Sequence, residues 1–107
     1  MANLNKGETG QTIFANLGED VSTATAYKFI LEPKLGTKLE KVDADGVTLG
    51  TANVDVGDET YLANQYVKYT TQDGDLSYSG QWRLKGEATM SATNQVIGDY
   101  RSVTVLP

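Results

Sequence analysis

The sequence predicts an all-β protein that folds as one antiparallel β-sandwich of about seven short strands. Apolar and polar residues alternate with period two in several short segments, as expected for strands with one buried face. Turn segments rich in glycine and aspartate separate these strands at spacings of about 8–12 residues, which is typical of sandwiches. The chain has 11 glycines and 6 tyrosines among 107 residues, which also fits short strands and tight turns. A small β-barrel is the alternative architecture.

The first part of the chain predicts an N-terminal segment and two strands. Residues 1–11 are polar and contain glycine, which fits either an N-terminal arm or a leading edge strand. Residues 12–107 are expected to form a single sandwich domain, since a chain of this size buries enough surface to fold alone. The first two strands are Thr12 to Leu17 and Ala24 to Glu32. Pro33 should end the second, because proline has no N–H for a ladder hydrogen bond.

The middle of the chain predicts a β-hairpin. Lys38 to Val42 and Val47 to Thr51 alternate on either side of Asp43-Ala44-Asp45-Gly46. An Asp-Gly pair supplies the positive φ of a tight hairpin turn, so we expect the turn near Gly46. Residues 52–56 are expected to continue the second strand, with a bulge at Gly50.

The remaining segments complete the predicted strands. Residues 60–64 fit either a short strand or a helical turn, and Gln65 to Thr71 is a strand. The clearest alternation lies in Trp82 to Met90, where every second residue from Trp82 shares one apolar face. The last strand runs from Val96 to Leu106, with an irregularity at Gly98-Asp99.

Two similar turns precede strands that begin with an aromatic residue. Asp20-Val21-Ser22 lies upstream of Tyr27, and Asp75-Leu76-Ser77 lies upstream of Trp82. Aspartate and serine side chains hydrogen-bond nearby backbone groups in turns, and Gly80 permits the second turn. We therefore interpret the segment from Asp75 to Trp82 as defining the fold rather than as catalytic, with Tyr27 and Trp82 as core residues.

Composition argues against an enzyme. Histidine and cysteine are both absent, which removes the usual general base, a Ser-His-Asp triad, disulfides and the commonest ligands of transition metals. The net charge of −5 disfavours contact with a nucleic-acid backbone. No apolar run approaches the ~20 residues of a membrane-spanning helix. The N-terminus lacks the apolar core of a signal peptide, so we expect synthesis in the cytoplasm.

The acidic residues predict turns rather than reactive or metal sites. Asp43-Ala44-Asp45-Gly46 resembles the start of a calcium-binding loop, but Val54 stands where such a loop needs a bidentate glutamate. The other carboxylates lie in turns or on polar faces, which does not favour the paired acids of glycoside hydrolysis. We therefore predict no catalytic residue, no metal ligand and no cofactor.

The candidate functional residues are contacts to a partner. Tyr61, Tyr66 and Tyr78 lie in or beside turns, where exposure is expected, and tyrosine suits contact with either proteins or sugars. Asn3 and Leu4 belong to the N-terminal segment, which can extend onto a neighbour and become ordered there. Unpaired strand edges would add further contacts.

The order of these segments resembles a known family. Lys6-Gly7-Glu8-Thr9-Gly10 leads into the first strand, Asp20 to Ala26 precedes the second, and Asp75 to Trp82 precedes the longest. The order resembles the small immunoglobulin-like β-sandwich modules of tailed-bacteriophage virions, and most closely the N-terminal module of phage baseplate upper proteins. The resemblance covers roughly residues 6 to 90. Glu8 stands where that family usually has aspartate, which keeps the charge.

The resemblance implies a non-enzymatic structural protein of the virion. Because the chain ends after the module, the implied role is a head decoration, neck or tail accessory rather than a baseplate adaptor. Its partners would be other virion proteins of the capsid, neck or tail, contacted by several copies in a symmetric assembly. The alternative is a module that binds carbohydrate or the host surface.

Overall fold

Eleven strands and one short 3-10 helix form within residues 4–34 and 36–107, which the computed structural model describes. The strands are β1 (Leu4–Asn5), β2 (Thr12–Asn16), β3 (Ala26–Pro33), β4 (Leu39–Val42), β5 (Thr48–Leu49), β6 (Val54–Val56), β7 (Glu59–Tyr61), β8 (Tyr66–Thr70), β9 (Gly80–Ser91), β10 (Asn94–Ile97) and β11 (Arg101–Leu106). The 3-10 helix η1 spans Asp43–Asp45. The all-β prediction is confirmed, but the predicted strand count is too low, because several strands have only two or three residues.

The strands form two main sheets that pack face to face. The large sheet has the order β1-β11-β9-β3-β4, with β10 also paired to β9, and the small sheet has the order β2-β8-β5. Among the described strands the pairings are antiparallel, except that β1 runs parallel to β11. The sheets curl toward a half-barrel, so the sandwich and the small barrel are closely related descriptions of this fold.

The core lies between the two sheets and follows the period-two pattern. Along β9, Trp82, Leu84, Gly86 and Ala88 are buried on the inner face, as the alternation predicted. Trp82 is only 1% exposed. The facing side chains come from both sheets: Ile13, Ala15, Phe29, Leu31, Val67, Tyr69, Val103 and Val105. Removing this apolar area from water supplies the main stabilisation of the sandwich.

The two aspartate-containing turns make structural contacts; Trp82 is a core residue as predicted, whereas Tyr27 is only partly buried against the core. Val21 and Leu76, the apolar residues of the two turns, are both buried. The hydroxyl of Tyr27 donates a hydrogen bond back to the carbonyl oxygen of Val21 at 2.8 Å. The indole N–H of Trp82 likewise donates to the carbonyl oxygen of Tyr78 at 3.0 Å. In each case the aromatic residue ties the start of its strand to the preceding turn.

The predicted hairpin between residues 38 and 51 is wrong. β4 pairs with β3 in the large sheet, whereas β5 pairs with β8 in the small sheet. Asp43 to Gly46 does turn the chain, with Gly46 at φ 100°, but it carries the chain from one sheet to the other. Val47 follows the turn and is 2% exposed, so its burial between the sheets favours the crossing over a local pairing.

A hairpin forms later in the chain instead. β6 and β7 pair with each other around Gly57, whose φ is 62°. Residues 59–61 are therefore extended, so the strand alternative for residues 60–64 holds at its start. The β6–β7 hairpin belongs to neither main sheet.

The predicted irregularity at Gly98-Asp99 is a β-bulge between β10 and β11. Residues 98–100 face two residues of β9, because Ile97 pairs with Glu87 and Arg101 pairs with Leu84. A Cβ atom on Gly98 would lie 2.2 Å from the carbonyl oxygen of Asn16, so glycine is required at this close approach. The bulge thus locks the edge of the large sheet against β2.

Candidate interaction surfaces

The N-terminal segment packs on its own domain. Asn3 lies outside the described residues. Leu4 pairs with Val105 of β11 and is 5% exposed, so its predicted availability to a partner is wrong. The N–H of Gly10 donates to the carbonyl oxygen of Thr71 at 2.7 Å, which ties the same segment to the end of β8. Leu4 belongs to the core because its strand, β1, pairs with β11.

Tyr61 and Tyr66 are buried, so their predicted exposure is also wrong. They are 3% and 4% exposed and form a second small core with Val56. The ring centroid of Tyr66 lies 5.9 Å from that of Phe14 and 6.1 Å from that of Tyr61. The Tyr66 hydroxyl donates to the carbonyl oxygen of Ala52 at 2.7 Å. These contacts cover the outer face of the small sheet with the β6–β7 hairpin.

Tyr78 is exposed, as predicted, with 45% of its surface accessible. Its ring lies against Gly36, where a Cβ atom would come within 2.6 Å of the ring. Its backbone oxygen is used by Trp82, so its backbone is structural while its ring faces solvent. A partner contact by Tyr78 stays a prediction.

A concave surface that sequence reasoning missed lies at one end of the large sheet. This cationic groove has a volume of about 570 Å³, and its polar lining consists of Glu32, Lys34, Lys38, Gln81, Arg83 and Ser102. Strand register builds its floor, because Arg83 of β9 pairs with Glu32 of β3 on one side and with Ser102 of β11 on the other. The alternation of polar residues along β9 indicated which face of the strand is exposed to solvent, but it did not indicate a groove there.

The groove carries excess positive charge. Among the described residues that line it, Lys34, Lys38 and Arg83 stand against the single carboxylate of Glu32, which leaves +2 in a chain of net charge −5. Arg83 pairs with Glu32. Lys38 lies 3.8 Å from Glu40. Within the described part of the chain, Lys34 has no carboxylate within ion-pair distance.

Glu40 is shared between two lysines, which weakens its hold on Lys38. It lies 3.1 Å from the ammonium group of Lys28, a shorter contact than its 3.8 Å separation from Lys38. Its pKa is lowered, first by the hydrogen bond and charge of Lys28 and then by Lys38. The ammonium group of Lys38 is therefore only weakly paired with Glu40 and can still bind an anionic ligand in the groove.

An exposed aromatic residue stacks on Arg83 of the groove. The bulge places the ring of Tyr100, which is 38% exposed, over two cations of β9. Its centroid lies 4.1 Å from the guanidinium carbon of Arg83 and 4.6 Å from the ammonium group of Lys85. Both distances suit cation–π contact. Ile97 is 55% exposed at the other side of the bulge, so this face presents both apolar and cationic groups.

The buried Asp75 carboxylate is fully engaged in structural contacts. It is 4% exposed, and its Oδ2 accepts hydrogen bonds from the Tyr69 hydroxyl at 2.5 Å and the Gln72 N–H at 2.7 Å. Its Oδ1 lies 3.0 Å from the ammonium group of Lys41. Burial alone would raise the pKa of Asp75, but these three partners outweigh it and hold the pKa below its ordinary value. Burial, followed by the Asp75 hydrogen bond, raises the pKa of Tyr69.

Residues 4–34 and 36–107 contain no helix that is long and apolar enough to cross a membrane. They also contain no group of three or more acidic residues placed to hold a metal ion.

Comparison with known proteins gave no relative. No protein-family model matches the chain, and no curated protein or solved structure matches it.

Proposed function

We propose that the chain is a non-enzymatic structural protein of a tailed-bacteriophage virion that docks on a repeated virion surface. The observation that supports docking is the cationic groove at one end of the large sheet, together with the exposed ring of Tyr100, which stacks on Arg83 of the groove. Exposed tyrosine and arginine are the residue types that contribute most to protein interfaces. The virion assignment rests on the order of turns and strands from Lys6 to Trp82.

The free strand edge of the large sheet supports the same proposal. β4 pairs with β3 on one side and is the terminal strand of the described sheet on the other. Its Val42 is 41% exposed. An open edge accepts a strand from a neighbouring protein through main-chain hydrogen bonds. Several copies on a symmetric particle would add avidity to a modest single contact.

Structural use of the acidic residues favours binding over catalysis. The carboxylates of Asp43 and Asp45 accept hydrogen bonds from the backbone N–H groups of Tyr27 and Val42, which fixes the corner between the sheets. The buried carboxylate of Asp75 is used by its own turn. These three aspartates therefore support the fold.

The test is the protein content of purified particles. Particles of the phage that encodes this chain are banded on a density gradient and analysed by quantitative mass spectrometry. We expect the chain at a fixed copy number per capsid protein, and immunogold labelling then distinguishes head, neck and tail. The phage DNA polymerase in the same preparation is the control for carry-over. Expression in infected cells with absence from particles would refute the proposal.

A second candidate function is binding of carbohydrate on the host surface. The exposed rings of Tyr78 and Tyr100 favour it, because flat aromatic rings stack on sugars. A glycan array probed with the isolated protein tests it. Tight glycan binding that is lost in Tyr78→Ala or Tyr100→Ala, together with absence from particles, would favour this function over the first.

A further inference from the structure

We propose that the cationic groove binds the acidic β6–β7 hairpin of a second copy of this chain, which joins copies head to tail. The inference rests on the proposed function in one respect, that the protein acts in several copies. Both surfaces are formed by described residues of the same chain, and they have opposite charge.

The groove is suited to carboxylates. Positive charge in a concave site is focused by the low-dielectric protein around it, so its potential is stronger than that of scattered surface lysines. Arg83 is bonded to Glu32 through one guanidinium nitrogen, Nη2. Arginine has five N–H donors, so the remaining ones can bind a second carboxylate in the forked geometry that guanidinium prefers. The ammonium groups of Lys34 and Lys38 add charge at the rim.

The β6–β7 hairpin supplies carboxylates on a narrow, convex element. Its eight residues, 54–61, include Asp55, Asp58 and Glu59 but neither lysine nor arginine. Gly57 and Asp58 form the turn, and both Asp58 and Glu59 are exposed. Within the described residues, neither of these two side chains is hydrogen-bonded or ion-paired. Binding in a groove would therefore break no existing contact of theirs.

Five other carboxylates already accept hydrogen bonds from backbone N–H groups. A partner that bound them would have to replace backbone hydrogen bonds that hold the loops. The carboxylates that accept such bonds are those of Glu8, Asp20, Asp43, Asp45 and Asp75. Glu19, Asp73 and Asp99 also accept no backbone hydrogen bond within the described residues, but they stand singly. The hairpin places two such carboxylates, Asp58 and Glu59, at consecutive positions, which favours it as the occupant.

The contact joins two molecules, because neither Asp58 nor Glu59 lies within ion-pair distance of a groove cation in the described chain. The groove lies at one end of the large sheet, whereas the hairpin packs over the outer face of the small sheet through Val56 and Tyr61. Packed sheets lie about 10 Å apart, and the core fills the space between them. A contact between unlike surfaces leaves one groove and one hairpin free at the ends. It can therefore be repeated, as a ring if the rotation closes.

Sedimentation velocity of the full chain tests the inference. We expect the average mass of the wild-type protein to rise with concentration at low salt, and to fall toward the monomer as sodium chloride screens the contact. A groove variant, Lys34→Gln with Arg83→Gln, and a hairpin variant, Asp58→Asn with Glu59→Gln, should each remain monomeric under conditions where the wild type associates. The controls Lys6→Gln and Glu19→Gln remove exposed charges outside both surfaces and should associate like the wild type.

Mixing the two variants gives the decisive result. The groove variant still has an intact hairpin and the hairpin variant still has an intact groove, so an equimolar mixture should form 1:1 pairs and nothing larger. A wild type that stays monomeric at every concentration would overturn the inference. Association lost in the groove variant but kept in the hairpin variant would also overturn it, by assigning the groove to another occupant.

This outcome is separable from that of the proposed function. A chain present in particles but monomeric when pure would leave the virion proposal standing and refute the head-to-tail contact. A chain that associates through groove and hairpin but is absent from particles would support the head-to-tail contact and refute the virion proposal.

Discussion

Replacing Asp75 with asparagine is expected to destabilise the protein by about 3 kcal/mol at neutral pH. Asparagine keeps the shape and one carbonyl oxygen, so the hydrogen bonds from Tyr69 and Gln72 can persist in neutral form. A bond to a charged acceptor contributes about 1.5–3 kcal/mol and a neutral one about 0.5–1.5 kcal/mol, so each bond weakens by about 1 kcal/mol. The ion pair with Lys41, whose side chain is 21% exposed, is lost as well.

The effect of Asp75→Asn should depend on pH. The pKa of Asp75 is lower in the folded protein than in the unfolded chain, because its partners outweigh burial. Its carboxylate therefore stabilises the fold fully above the unfolded pKa of about 3.9, and this contribution is lost as pH falls through the folded-state pKa. The stability difference between the wild type and Asp75→Asn should shrink only in that acidic range.

Urea unfolding checks both expectations. The fluorescence of Trp82, the single tryptophan of the chain, reports unfolding of the core. Asp73→Asn is the matched control, because it makes the same chemical change at an exposed position two residues away. A change below about 0.5 kcal/mol for Asp75→Asn at neutral pH, which is typical of ordinary surface substitutions, would refute the role of Asp75.

Three further substitutions test the fold and the bulge by the same titration. Trp82→Ala should cost about 3–5 kcal/mol, followed by far-UV circular dichroism, and a value near zero would mean that the ring is not in the core. Gly98→Ala should cost about 1–3 kcal/mol because its Cβ atom would force the backbone away from Asn16, and an unchanged midpoint would contradict that close approach. Tyr100→Ala should cost no more than about 1 kcal/mol, the range of exposed cation–π contacts, and a larger loss would show that Tyr100 supports the fold.

The period-two alternation of apolar residues predicted which face of an individual strand is buried. β9 extends over twelve residues, and its side chains must alternate between the core and solvent, so the pattern from Trp82 onward identified the buried face. The turn that begins at Asp75 could also be recognised, because its bonds to Gln72 and Tyr69 are short-range in sequence.

Pairing between distant segments could not be predicted in the same way. The turn at Asp43 to Gly46 has the same local chemistry whether it joins two strands of one sheet or crosses between sheets. Tyr61 and Tyr66 sit beside turns, yet the β6–β7 hairpin and β8 bury them together. Leu4 is buried because it meets Val105, which is a contact that no local pattern encodes.

The cationic groove escaped sequence reasoning for a related reason. Its cations come from the loop between β3 and β4 and from the start of β9. Only the register that places Glu32 beside Arg83 brings them to one surface. Tyr78 was found because it lies in a turn that stays exposed, and the virion resemblance remains a prediction to be tested on particles.

The pairing of β1 with β11 has a consequence for how the protein is made. Leu4 pairs with Val105 and Asn5 with Leu106, so the first described strand emerges from the ribosome long before its partner exists. Contacts between residues so far apart slow folding, and the large sheet can close only after translation of β11. Until then, β1 of one nascent chain can pair with β11 of another. Expression at high density is therefore expected to yield strand-swapped dimers alongside the monomer.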